Sequence, residues 1–364
     1  MVSVSNFVIQ SHPAEYHDFV RYLDGIEFRR IVLHAPGLRF KGTRQILWEC
    51  FCEGRQLVRH LHSLTGAQTV VAFSHFAFVV KLLARLGLLH YQRLFCFGFF
   101  LHDPRWFRIF RWIVRLDRPN DHYVIFSRRE VDLHRSRLGI PQERLHFVPL
   151  GDWSQNRHPT LPTSGTGKGD YYFAGGRSNR EYVALVEAFR SISARLVIVC
   201  SRSNWKELKG MRLPPNVQAV CDVPITTFDD YARGAKAGII ALKRNTGASG
   251  QSVALALMRN AKCIIATDVE GLREYVEHGV SGYLMRHLAE ELPALVQLLE
   301  ADPGRAEAMG RASRERYEQH FSRSIAAAAF EAVLRSTPLK SGRLTKVPLR
   351  CVSGDRGSRA GRPR

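Results

Sequence analysis

No stretch of the 364-residue chain reaches the roughly 20 consecutive apolar residues that a membrane-spanning helix requires. Lys81, Arg85, Arg93 and the arginines after residue 104 interrupt every candidate. Residues 1–6 show no basic region leading into an apolar core, so no signal peptide is expected. The seven cysteines form no Cys-x-x-Cys pair and mostly lie in apolar runs. They read as reduced core residues of a cytoplasmic protein, not as a disulfide framework. Lysine is scarce, at 10 against 43 arginines. That bias follows from codon usage as readily as from phosphate recognition. No internal repeat is visible.

The remaining composition is that of a soluble globular protein, with 45% hydrophobic and 24% charged residues, enough for two or three domains. The formal net charge of +20 keeps polyanions, anionic lipid and phosphorylated small molecules in play. Part of it sits in residues 337–364, where eight cations face Asp355 alone. That tail lacks apolar periodicity and is expected to be disordered. A nucleic-acid partner is not expected, because no basic-aromatic recognition motif accompanies the charge.

From residue 168 onward, short β-branched or aromatic runs alternate with amphipathic segments, the pattern of βα units building a parallel sheet. Strands are predicted at 170–175, 195–200, 217–221, 237–242 and 262–267. Helices are predicted at 179–192, 226–235, 250–260, 270–277, 287–300 and 303–319. The first half repeats the theme, with apolar runs at 6–10, 30–34, 68–73, 93–100, 122–127 and 145–149 and helical stretches at 43–62, 76–88 and 104–117. The expected organisation is an α/β domain over 1–151, a Pro/Gly/Ser-rich linker at 152–169, and a second α/β domain over 170–320. A helix at 321–336 is read as returning to the first domain. Two such domains place their strand C-termini across a common cleft, where ligands of this architecture bind.

Two loops of the second half carry the chemistry. Lys243-Arg244-Asn245-Thr246-Gly247-Ala248-Ser249-Gly250-Gln251-Ser252-Val253 runs from a strand end into a helix start. Its leading amides are open to an anion. Ser249, Ser252 and Thr246 add hydroxyls, and Lys243 adds charge. A plain Ser/Gly helix cap reads the same stretch without a ligand. Gly175-Gly176-Arg177-Ser178-Asn179-Arg180 then supplies two glycines and two arginines at a neighbouring strand end. Two anion-seeking loops on one sheet edge suit a diphosphate, which guanidinium groups match with paired donors.

These loops, together with Met258 to Asp268, Gly271 to Leu284, Ser127-Arg128-Arg129-Glu130, Leu138-Gly139-Ile140-Pro141 and Val148-Pro149-Leu150-Gly151, resemble the GT-B-fold glycosyltransferases of family four, the "glycosyl transferases group 1" type. The resemblance implies two Rossmann-like, doubly wound α/β domains facing a cleft. It implies retaining transfer from a nucleotide sugar, held by the second domain, to a glycan or lipid-linked acceptor held by the first, in cell-surface polysaccharide or glycolipid assembly. Gly176, Arg177 and Arg180 would then meet the donor diphosphate, and Ser249, Gly250, Gln251, Ser252 and Val253 would cradle phosphate, flanked by Lys243 and Thr246. No Asp-x-Asp motif stands out, and Asp229-Asp230 reads as a helix start. Neither a metal nor a cofactor is therefore expected.

The chain departs from that family at Ala248 and Ala256, where members commonly carry two glutamates. Either the ribose is held differently, or the chain binds a nucleotide sugar without transferring it, as a scaffold. On the acceptor side, His102 and Asp103 end an apolar run and are catalytic candidates, with Asp103 equally placed as a cap before Pro104. Ser74-His75 is a weaker candidate of the same type. Between 105 and 118 the arginines recur every three or four residues among Trp, Phe and Ile. That spacing reads either as an interfacial helix drawn to an anionic membrane surface or as a core-packed helix with a solvated basic stripe.

Overall fold

The computed structural model describes residues 6–10, 23–33, 43–73, 75–98, 104–151, 170–243 and 249–339. The 152–169 segment and the tail from 340 lie outside the described residues. The described residues form two parallel six-stranded sheets. The first contains β1 (Asn6–Gln10), β2 (Arg29–Val32), β3 (Ala67–Phe73), β4 (Tyr91–Phe97), β5 (Asp121–Ile125) and β6 (Leu145–Phe147), in the order β2-β1-β3-β4-β5-β6. Its helices are α1 (Thr43–Val58), α2 (Leu61–Leu64), α3 (His75–Arg85), α4 (Pro104–Arg115) and α5 (Arg128–Leu138).

The second sheet contains β7 (Tyr172–Gly176), β8 (Leu196–Cys200), β9 (Val217–Cys221), β10 (Ala237–Ile240), β11 (Cys263–Thr267) and β12 (Gly282–Met285), in the order β12-β11-β10-β7-β8-β9. Around it lie α6 (Tyr182–Ala188), α7 (Arg202–Leu208), α8 (Ile225–Gly234), α9 (Gln251–Arg259), α10 (Glu270–Arg273), α11 (Leu288–Ala301) and α12 (Pro303–His320). α13 (Arg323–Ser336) ends the described chain.

The central strands of the second sheet are apolar and buried because helices cover both sheet faces. β8, Leu-Val-Ile-Val-Cys, is buried at every position. One core lies on the face of the second sheet shared by α6 and α11, and another on the face shared by α8, α9 and the end of α12. The first domain's core also takes in α13, whose Phe330 packs edge-on against Phe95 and Phe97. Arg93, buried in β4, binds the carbonyls of Leu334 and Thr337. The last helix thus crosses back onto the first sheet.

Three local expectations are corrected. The helix predicted at 179–192 begins only at Tyr182, because Arg180 pairs with Leu242 in a β-bridge and the Glu181 amide donates to the Ala241 carbonyl. The one at 270–277 stops at Arg273, and Tyr275 and Val276 turn into the core. Asp229 does not start a helix; it sits within α8 and pairs with buried Arg259 at 2.8 Å.

The two sheets meet at their C-terminal edges. Just past β5, Ser127 Oγ and the Arg128 amide both donate to Glu274 Oε1, at 3.0 and 2.8 Å. Arg129 pairs with Glu270 at 2.8 Å. A carboxylate of one domain therefore caps α5 of the other, where the open amides and helix dipole favour negative charge.

Beneath α13, His122 Nδ1 and His146 Nε2 lie 3.0 Å apart. Burial pushes His122 down to about 4, with His146, Arg144 and Arg93 adding to the shift, and burial lowers His146 as well. Both imidazoles are neutral in the fold, whereas the unfolded chain protonates them near pH 6.5. The unfolded state thus binds more protons below that pH, and stability falls as the pH drops from about 6.5 toward 4. Melting temperatures measured across this range should decline, and His122→Phe should flatten the decline.

Candidate functional site

In an open α/β sheet, ligands bind where the chain reverses its direction of winding. From β7 the second sheet winds toward β9, and from β10 it winds toward β12. The reversal lies between β7 and β10. The loops leaving these two strands are the two anion-seeking loops of the sequence.

They are joined through their backbones. Lys243 N donates to the Asn179 carbonyl at 3.1 Å, and Asn179 Nδ2 donates to the Lys243 carbonyl at 2.7 Å. Asn179 takes the left-handed conformation (φ 57°) to make this pairing. Gly176 does so more extremely, at φ 115°. A Cβ there would fall 2.1 Å from Arg180 Nη2, so the position excludes side chains for two reasons.

The two arginines of this loop are placed differently. Arg177 is exposed at the end of β7 and has no ion-pair partner among the described residues. Arg180 is buried (5% exposed). Its Nε donates to the Gly175 carbonyl and its Nη1 to the Ser178 carbonyl, both at 2.8 Å. Tyr182 OH secures the Gly176 carbonyl at 2.9 Å. No carboxylate pairs with Arg180 among the described residues, and burial lowers its pKa. An uncompensated buried cation under a glycine turn is electrostatically costly alone and favourable beside an anion.

The opposite wall is the start of α9. Gly250 is its N-cap, at φ 86°, and no side chain caps the helix. A Cβ at Gly250 would meet Ile240 Cγ2 at 3.0 Å. The leading amides of Gln251 and Ser252 have no intrahelical acceptor, by helix geometry. Ser252 is exposed, Val253 is buried in the core behind it, and Gln251 is buried with Nε2 at 3.5 Å from the Gly271 carbonyl. Ser249 is buried, yet its hydroxyl has no hydrogen-bond partner among the described residues. Native structures seldom leave such a group unsatisfied. The Ser249 hydroxyl, the open amides and dipole of α9 and the exposed Arg177 guanidinium lie on the loops leaving β7 and β10, with Arg180 bracing the turn from beneath, an arrangement that can hold a diphosphate.

Lys243 is exposed and lies 3.8 Å from Glu207 Oε2, a loose surface pair. Ala256 follows Ser252 by one turn and is buried. At this position α9 carries no carboxylate. Thr246, Ala248, His102 and Asp103 lie outside the described residues. In the first sheet the winding reverses between β1 and β3. His75 opens α3 after β3 there, Ser74 lies outside the described residues, and His102 and Asp103 follow β4 in the sequence. Sequence reasoning missed Glu274, whose partner Ser127 lies 147 residues away. It also missed the orphaned state of Ser249, which only burial reveals.

The two parallel six-stranded sheets with flanking helices have the GT-B architecture. Residues 171–301 match the family described as Glycosyl transferases group 1. The chain is similar in fold to a sucrose-phosphate synthase from Thermosynechococcus elongatus, at 15% identity over 91% of this chain and 98% of that one, with a TM-score of 0.70. It is similar also to HepE from Anabaena in complex with UDP, at 12% identity over 91% and 100%, with a TM-score of 0.64. A third is TarM of S. aureus in complex with fondaparinux, alpha-GlcNAc-glycerol and UDP, at 12% identity over 78% and 59%, with a TM-score of 0.60. No curated protein matches by sequence.

Proposed function

We propose that the protein transfers a glycosyl group from a nucleotide sugar to a glycan or lipid-linked acceptor, with retention at the anomeric carbon and without a metal ion, in cell-surface polysaccharide or glycolipid assembly. The observation that carries this reading is the reversal point between β7 and β10, whose two loops carry exposed Arg177, buried Arg180 without a carboxylate partner and the Ser249 hydroxyl without a hydrogen-bond partner among the described residues. HepE and TarM, of similar fold, are described in complex with UDP.

The bond from the anomeric carbon to the diphosphate oxygen breaks with its electron pair going to the phosphate. In this reading Arg177, the α9 amides and the Ser249 hydroxyl stabilise the charge that develops there. A bond forms from the acceptor oxygen to the same carbon on the same face. The acceptor comes from the first domain's strand ends, where Ser74-His75 and the loop of His102 and Asp103 are the candidates to receive its proton. The acceptor side sits at an anionic membrane surface on the cytoplasmic face.

The apolar face at Ala256 favours a second reading, a nucleotide-sugar-binding scaffold without turnover. Incubation with a panel of nucleotide sugars separates the two. The transferase releases free nucleoside diphosphate with one donor, EDTA leaves the rate unchanged, and the product keeps the donor's anomeric configuration. A donor that binds and is never consumed selects the scaffold.

A further inference from the structure

Every connection from β2 through β6 advances in the same direction across the first sheet. Because such crossovers are right-handed, α1, α3, α4 and α5 form a single layer on one face, while α13 covers the other. The outer surface of that layer is unusual along α1, α3 and α4. Leu47, Phe51, Leu82, Leu86 and Trp112 stand exposed there, Leu86 and Trp112 at 63% and 64%.

The charge on this surface has one sign. α3 and α4 contain no Asp or Glu, and those of α1 are withdrawn, Glu53 fully buried and Glu49 half-buried. Arg55, Arg85, Arg111 and Arg115 are exposed among the apolar side chains. Arg115 lies over the Trp112 ring at 4.9 Å, so the aromatic and the cation form one unit. On α5 the apolar component ends. Its exposed residues are all polar, Arg128, Arg129, Arg135, Arg137 and Ser136 beside Asp132, which pairs with Arg135 at 3.6 Å. Contiguous exposed apolar surface marks an interaction site, and its composition indicates the partner. An acidic protein groove would suit the arginines, and a second copy the leucines. Apolar side chains interleaved with unopposed arginines suit an anionic lipid leaflet, into which the former insert while the latter meet headgroups.

We propose that the outer face of α1, α3 and α4 docks the protein flat on an anionic membrane. This deepens the proposed function by fixing which face meets the lipid, and it rests on that reading only for its purpose, since binding requires no donor. The described residues contain no helix long and apolar enough to cross a membrane, so attachment through this face is peripheral.

The test is co-sedimentation of the full chain at low salt with vesicles of phosphatidylglycerol in phosphatidylcholine, against phosphatidylcholine alone. The wild type should bind only the anionic vesicles. Leu86→Ser combined with Trp112→Ser should weaken binding more than tenfold with every cation retained. Arg111→Glu combined with Arg115→Glu should weaken it by at least fivefold per residue, since each cation near the surface contributes about that factor. Both variants should keep the wild-type melting temperature and nucleotide affinity. Replacing Arg356, Arg359 and Arg362 with Gln should change little. Failure of the wild type to bind, binding lost with the tail cations alone, or self-association through the face in light scattering would each overturn the proposal. A protein that binds vesicles and never consumes a donor would refute the transferase reading and leave this surface standing.

Discussion

Arg177→Ala should leave the melting temperature unchanged and weaken nucleoside diphosphate binding by about 10–100-fold, whereas Arg180→Ala should weaken binding and also destabilise the fold by about 3 kcal/mol. The difference follows from burial. Arg177 is exposed, and substitutions at such positions cost little stability. Arg180 holds the carbonyls of Gly175 and Ser178 at 2.8 Å, and hydrogen bonds from a charged donor contribute about 1.5–3 kcal/mol each. Its loss orphans two acceptors and frees the turn that presents Arg177. Arg180→Lys should rescue neither property, because an ammonium cannot reproduce the guanidinium fork. Calorimetric titration with nucleoside diphosphates, paired with thermal unfolding, reads both quantities. Equal effects of the two substitutions on stability would show that the loop is not built as described.

The second large effect lies far from the site. Lys81 of α3 is fully buried, with Nζ 2.5 Å from Asp117 Oδ1, 2.7 Å from Tyr123 OH and 3.9 Å from Asp121 Oδ2. Arg144 closes the other side of Asp117 at 2.7 Å. Burial alone would lower the Lys81 pKa, but Cys96, Asp117 and Asp121 outweigh it and raise it. Asp121 is raised by burial. Lys81→Met leaves two buried carboxylates short of a cation, and breaking a buried pair in this way costs about 3–5 kcal/mol. The first domain should melt roughly 10 °C lower at neutral pH. The deficit should shrink as the pH falls, since protonated carboxyls need no counter-ion. A deficit that does not depend on pH would assign the loss to packing instead.

Much of this was legible before the fold was known, for a physical reason. Parallel strands covered on both faces are continuous apolar runs, so the strand expected at 195–200 is found at Leu196–Cys200, buried throughout. The start of α9 was legible after its small-residue loop, within one residue of Gly250, whereas the helix after the Gly176 loop starts later than expected because the bridge from Arg180 to Leu242 is long-range. Features that depend on contacts distant in sequence were not legible. Nothing in an Arg-x-x-Arg motif shows that its second arginine turns inward while the first stays out. Lys81 interrupts an apolar helix and reads as a surface position until Asp117 and Asp121 are brought under it. The strand at β12 was missed because Gly282 opens a stretch of four residues, too short for a period. The spacing at 105–118 showed the basic stripe of α4 but not that Leu47, Phe51 and Leu86 extend it across two neighbouring helices.

The central claim is that the edge between β7 and β10 is built around a diphosphate, and Ser249 tests it most directly. Its hydroxyl is buried and has no hydrogen-bond partner among the described residues, so Ser249→Ala removes a desolvated group without breaking a hydrogen bond among them. Titration of wild type and variant with a nucleoside diphosphate panel should show binding of at least one by the wild type. For that nucleotide the variant should bind about tenfold more weakly while melting at the same or a higher temperature. Binding that Ser249→Ala leaves unchanged, or the absence of binding to any nucleoside diphosphate, would contradict the account.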